Sequence, residues 1–239
     1  MAWRSSDGCP WFFSGLIMES IDTEKIRMAA DIGICAIIDG RLNIILIDWA
    51  GDARYEADPY KGRKVLPGGL LHVSAGETIE DTVHRIIRKK IGLNFDGIYI
   101  EQLKTYTRVN RDYRDRSIAV GHFALVPYDK ISDIPKELFF PIDDIKEEDL
   151  GFDHYEMICD IKERLKGKIW YTDVSFSLVP KKFTLSKLQN VFEIILGEKL
   201  VPYSFRKKLF SNFNIVELNE MAEMTGAGRP SRLMTYLKE

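Results

Sequence analysis

Cysteine is scarce in this chain. Three residues, Cys9, Cys35 and Cys159, stand far apart among 239, which excludes a disulfide framework and a cysteine metal site and leads us to expect a reducing, cytoplasmic setting. Long apolar runs are missing as well. The longest near the start, 11–18, is broken by Ser14 and Gly15 and is too short to cross a bilayer. No basic segment with a small-residue cleavage site surrounds it, so neither a membrane partner nor a signal peptide is expected. Internal repeats and low-complexity tracts are absent too. Net charge is only −2, but it is unevenly placed: residues 181–239 hold ten lysines and arginines against six glutamates and no aspartate, a net +4 that leaves −6 for the rest. A basic tail behind an acidic body points to an anionic partner for the tail alone. What remains is ordinary: 45% hydrophobic and 29% charged residues, enough for one large or two small soluble domains.

Residues 1–27 form a poorly patterned leader. Two β-branched apolar runs come next, 31–38 and 42–48, with Asp39-Gly40-Arg41 between them as a hairpin signal. A polar loop, 51–64, precedes a short strand bent at Pro67-Gly68-Gly69. The spacing of Ile79, Val83, Ile86 and Ile87 predicts a helix over 77–90, closed by Gly92 after a basic last turn. Strands are predicted over 98–106 and 117–126, separated by a loop carrying Arg108, Arg111, Arg114 and Arg116. An amphipathic helix is predicted over 155–165, and 166–182 is a mixed connecting stretch.

The segment Leu66-Pro67-Gly68-Gly69, Glu77, Arg85, Gly92-Leu93 resembles the Nudix box, G-x5-E-x7-R-E-U-x-E-E-x-G-U, over 28 residues. In that family the helix carboxylates gather divalent cations that neutralise a diphosphate and activate water. Here the loop between Gly69 and Glu77 is two residues longer, and the three carboxylate positions after Arg85 are Ile86, Lys89 and Lys90. Two ammonium groups repel a cation, so no catalytic residue, metal or cofactor is expected. The lysines either supply positive charge to a ligand phosphate or cap the negative end of the helix dipole; of the two, Lys90 has the better angle. Glu77 and Arg85 are expected to form a structural ion pair. Arginine forks suit phosphates and carboxylates, which makes Arg108, Arg111, Arg114 and Arg116 candidate ligand contacts. Within Phe152-Asp153-His154, Asp153 is a possible helix N-cap, and His154 is either a ligand contact or a packed histidine.

The tail has its own pattern. Thr184 is a good N-cap, Leu188 is placed to staple back onto Phe183, and Gly197 closes a helix bearing the stripe Leu188, Val191, Phe192, Ile195, Leu196. A second helix over 203–210 and strands over 215–218 and 232–237 complete the order of a winged helix. Burying Phe205 and Leu209 turns Tyr203 and Lys207 outward, flanked by Ser204 and Arg206, as in a recognition helix. Arg206 and Lys207 are candidates for reading guanine. Lys208, Lys181 and Lys182 are candidates for phosphate, with Thr184 and Arg232 also on the expected DNA face and Arg229 in the wing loop suited to the minor groove or a phosphate.

Together these segments resemble Nudix-related transcriptional regulators of the NrtR and AraR type over roughly 28–239. The resemblance implies an α+β fold: a Nudix α/β/α sandwich with a mixed sheet over 28–170, then a winged helix-turn-helix over 171–239 that includes a linker, 171–182. It implies a ligand-responsive regulator that binds double-stranded DNA, as a homodimer on a palindromic operator, and senses an ADP-ribose-like nucleotide, a pentose or a sugar phosphate. The alternative is a Nudix hydrolase of ADP-ribose or a related nucleoside diphosphate derivative.

Overall fold

The computed structural model describes residues 25–94, 97–222 and 230–238. Most of the leader, 1–24, and the wing loop 223–229 with Arg229 lie outside the described residues; Arg27 already belongs to the first strand. That strand, β1 (Arg27–Ile38), is the axis of the main sheet. It turns through Asp39 and Gly40, both at positive φ, into β2 (Arg41–Ile45). Paired left-handed residues match the right-handed twist of a hairpin, which is why the Asp-Gly pair sits here. The predicted run 42–48 is broken at Leu46, because β2 pairs with β8 (Phe139–Pro141) whereas β3 (Ile47–Asp48) pairs with β4 (Lys64–Val65). The change of partner, invisible in local pattern, splits one expected strand into two.

Beyond these come β5 (Gly68–Leu70), β6 (Tyr99–Tyr106) and β7 (Ser117–Leu125). The sheet runs β6-β7-β1-β2-β8, with β5 on the β2 side of β1, pairing at its start. β1 and β7 are parallel and the other pairings antiparallel, so the sheet is mixed. Alternation along β1 builds the sandwich. Ala30, Ile32, Ile34 and Ala36 pack with Val83, Ile86 and Ile87 of α1 (Ile79–Ile86) and the single π-turn Ile87–Ile91 that continues it. Cys35 packs on the opposite face with Met157, Ile158, Ile161 and Leu165 of α2 (His154–Lys168). Gly33 is needed there: a Cβ at that position would lie 2.4 Å from Ile161 Cδ1. Burial lifts the Cys35 thiol to about 12, so it behaves as a small apolar side chain.

The tail folds in the predicted order, with α4 and β9 longer than expected and β10 one residue shorter: α3 (Leu185–Leu196), α4 (Pro202–Asn212), β9 (Ile215–Met221) and β10 (Arg232–Tyr236). Thr184 caps α3, its hydroxyl accepting from Lys187 N at 3.2 Å, and Gly197 ends it in the left-handed conformation. Pro202 occupies the first turn of α4, where its missing N–H costs nothing. Leu188, Phe192, Phe205, Leu209 and Phe213 join the same apolar core as Leu165 and Ile169 of the preceding segment. The connecting stretch is more ordered than its composition suggests: α2 runs to Lys168, and a 3-10 segment, Asp173–Leu178, lays Phe176 on Tyr236 with ring centroids 4.1 Å apart. None of the described helices is long and apolar enough to cross a membrane.

Candidate functional site

A cavity of about 310 Å³ opens beside the start of β1. Asp31, the one acid of β1, forms its floor. A Cβ on Gly68 would come within 1.9 Å of Asp31 Oδ1, so the Pro-Gly-Gly bend exists to let β5 approach this carboxylate. Arg111 is buried and donates to both Asp153 oxygens at 2.8 and 2.9 Å, to Asp31 Oδ2 at 3.2 Å and to Ser117 Oγ at 3.1 Å. Its fork therefore welds β1, β7 and the head of α2 together. Asp153 stands at the N-cap position but makes no side-chain cap; the buried arginine claims its carboxylate instead, because an uncompensated guanidinium there costs more than an unmade cap. His154 is also buried. Its Nδ1 accepts from Leu66 N–H at 2.9 Å, leaving Nε2 to carry the proton 3.6 Å from Asp31. Burial would raise the Asp31 pKa, but His154 and Arg111 outweigh it and keep the group ionised below its ordinary range.

An aromatic wall faces this polar floor. Trp49 meets Phe152 edge-on at 5.0 Å, Tyr60 packs on Phe152 at 4.6 Å, and the Arg114 guanidinium lies 5.0 Å from the Trp49 ring and 5.3 Å from Phe152. Asp112 holds Arg114 through two hydrogen bonds of 2.8 and 2.9 Å. The polar loop folds over this wall, fixed by Trp49 Nε1 donating to Asp58 at 2.6 Å.

Of the six expected ligand residues, the structure brings four to the cavity: Lys90, Arg111, Arg114 and His154. Arg108 and Arg116 are elsewhere. Arg108 pairs with Glu156 at 2.7 Å, and Arg116 donates to the Thr107 and Arg108 carbonyls. The sequence reading missed Asp31, Trp49 and Gly68 as site residues; the lone acid inside the run 31–38 was the available signal.

The degenerate box is resolved in detail. Glu77 accepts from Arg85 at 2.6 and 2.9 Å, from His72 N at 3.1 Å and from Thr82 Oγ1 at 3.0 Å, while Arg85 also donates to the Leu70 carbonyl. This is the expected structural pair; Arg85 first among these partners holds the Glu77 carboxyl down at about 2. Asp81 is committed to a capping box with Thr78. The two lysines of the π-turn part company: Lys90 enters the cavity, whereas Lys89 lies on a different surface beside Asp81 and Arg88. Partial burial lowers the Lys90 pKa, with Asp31 pulling the other way.

On the tail, Tyr203, Ser204, Arg206 and Lys207 are exposed along α4. Lys181 is exposed as well. Lys182 donates to both oxygens of Glu220 at 2.6 and 2.8 Å, and Arg232 is paired with Glu217, so both hold carboxylate partners in this state. Thr184 is buried and its hydroxyl serves the cap of α3, which removes it from the expected DNA face. Lys208, expected at a phosphate, instead sits 3.8 Å from the centre of the Trp170 ring. Trp170 lies just beyond α2, packs on Phe192 at 4.6 Å and Phe205 at 6.1 Å, and its carbonyl accepts from Asn212 at 2.8 Å. The helix whose first residue lines the cavity thus ends against α4.

A mixed sheet between two helical layers with a cavity over a lysine-substituted box, continued into a winged helix, defines a Nudix-type sensor of the transcription-regulator class. Residues 175–235 match the NrtR DNA-binding winged helix domain. The chain is 30% identical over 213 residues to an ADPR responsive transcriptional repressor, NtrR, of Acinetobacter baylyi, covering 87% of this chain and 81% of the relative. A crystal structure of Shewanella oneidensis NrtR complexed with a 27mer DNA superposes with a TM-score of 0.73 at 28% identity, covering 88% of this chain and 93% of that one. An ADP-ribose pyrophosphatase of Methanocaldococcus jannaschii is 30% identical over 157 residues, 62% of this chain and 83% of the relative. The chain belongs to the NrtR family of transcriptional regulators.

Proposed function

We propose that the chain is an ADP-ribose-responsive DNA-binding regulator, with residues 28–170 as the sensor and 171–239 as the reader, acting as a homodimer on a palindromic operator. The single observation that carries this is the path of α2, from the cavity at His154 to the recognition helix at Trp170. Binding can switch DNA affinity only if the ligand distinguishes two states of the protein, and a helix that starts at the cavity and is followed directly by Trp170 against α4 provides the means. Arg206 and Lys207 read bases, Lys181 and Lys182 contact phosphate, and Arg229 and Arg232 serve the wing. The effector occupies the cavity, with Lys90 and Arg114 facing its charge, His154 lining the floor and Trp49 and Phe152 offering stacking faces; Arg111 holds the floor rigid.

Two-fold protein symmetry is mirrored in half-sites, so selection of bound sequences from a random duplex pool at near-physiological salt is expected to enrich a palindrome. Failure to enrich any sequence with folded protein would overturn the reading. The pyrophosphatase relative favours a second reading, hydrolysis of ADP-ribose. Against it stand Ile86, Lys89 and Lys90 at the carboxylate positions. Incubation with ADP-ribose and Mg²⁺ or Mn²⁺ is expected to release no AMP; release at enzymatic rates would establish the hydrolase.

A further inference from the structure

The Nudix fold implies a divalent cation, and the residues present do not fit one. Three carboxylates remain at the box, Glu77, Glu80 and Asp81, and two of them have other work. Glu77 is bound to Arg85, and Asp81 closes the capping box of α1. Asp31, the acid in the cavity floor, is matched by Arg111 and His154. Among the described residues no group of three or more histidine, cysteine, aspartate or glutamate side chains is arranged to hold a metal ion. A hard cation needs six or more oxygen ligands from protein and water, and here the box helix presents a lysine, Lys90, to the cavity instead.

Lys90 lies within the π-turn Ile87–Ile91. An extra residue in one turn redirects the side chains after it, and such turns recur at functional sites. Lys90 lines the cavity, and Lys89 lies outside it. Lys90 shares the cavity with Asp31 and Arg111, which bond each other at 3.2 Å, with Arg114, which Asp112 holds at 2.8 Å, and with Asp48, which pairs with Lys64 at 2.7 Å.

We infer that the cavity binds its diphosphate-bearing ligand without a divalent cation, the ammonium of Lys90 standing where hydrolases of this fold hold metal. Asp31, Asp48, Asp112, Arg111 and Arg114 each hold an opposite charge, while Lys90 forms no ion pair among the described residues, which suits an anion that enters bare, and a bound cation would be repelled by the same lysine. The regulator would then read its ligand independently of magnesium, and the ligand would leave unhydrolysed because nothing activates water beside it. This inference rests on the effector reading above.

The test is calorimetric titration of the full chain with ADP-ribose, once in EDTA and once in excess Mg²⁺. The expected result is the same Kd within about twofold. Binding seen only with Mg²⁺ would overturn the inference and leave the effector reading intact; no binding under either condition would overturn the effector reading itself. Lys90→Met is expected to weaken binding by about 10- to 100-fold, the range of one charge-assisted hydrogen bond. Lys89→Met, outside the cavity, is expected to leave the Kd unchanged. Both variants are checked for an unaltered melting temperature. Equal losses at the two positions, or none at Lys90, would show that Lys90 is not the cation that holds the ligand.

Discussion

At the scale of single residues, the site is organised around Asp31, a carboxylate kept charged in a buried floor by His154 and Arg111. Gly68 is the residue that lets this happen. Gly68→Ala would drive a methyl group onto Asp31 Oδ1, displacing a side chain that holds Arg111. The expected cost is ~1–3 kcal/mol in thermal or denaturant unfolding, with loss of ligand binding, since the overpacking falls in the floor itself. A second residue-scale expectation concerns pH. Glu77 and Glu193 ordinarily titrate near 4.5 but are held at about 2 in the folded chain, Glu77 first by Arg85 and Glu193 first by Lys199. Folded-state pKa values below the unfolded ones mean that the stability these carboxylates add is present above about pH 4.5 and lost as pH falls toward 2. The melting temperature should therefore fall across that window, and Glu77→Gln with Glu193→Gln should flatten the fall. An unchanged slope in the double variant would show that these pairs do not act in the folded state.

At the scale of elements, periodicity made the helices and most strands legible, because burial on one face is written into residue spacing. Thr184, Leu188 and Gly197 marked both ends of α3, and Phe205 with Leu209 fixed the buried face of α4. What local pattern did not carry was partner exchange: the break at Leu46 and the short β8 each depend on a distant neighbour. The site was half legible for the same reason. Lys90, Arg111, Arg114 and His154 were recognisable as chemistry, but only three-dimensional packing separates Arg111 and Arg114 from Arg108 and Arg116 in one short loop. Lys208 looked suited to phosphate until the Trp170 ring claimed it, and Thr184, legible as the cap of α3, is buried in that role. The buried face of α4 makes its own prediction. Phe205→Ala is expected to destabilise the fold by ~3–5 kcal/mol in chemical denaturation, since its ring packs on both Phe192 and Trp170. A loss under ~1 kcal/mol would mean the tail does not share the common core.

At the scale of the whole molecule, one apolar core runs from the sensor sheet into the winged helix, and α2 spans it over ~22 Å at 1.5 Å per residue. Its first turn is held at the cavity by the buried Arg111 pair through Asp153, and its far end by Trp170. Trp170→Leu keeps an apolar side chain but gives up the ring under Lys208 and beside Phe192. The two binding affinities should survive this change while the effect of one ligand on the other shrinks to under about twofold, well below the 5–150-fold usual for coupled sites. The measurement that tests the account most directly is titration of ADP-ribose, in EDTA, into the complex of the full chain with a duplex enriched from the random pool, monitored by fluorescence anisotropy. The account predicts a change in duplex affinity of at least about fivefold at saturating ligand. Saturation of the cavity with no change in duplex affinity would contradict it.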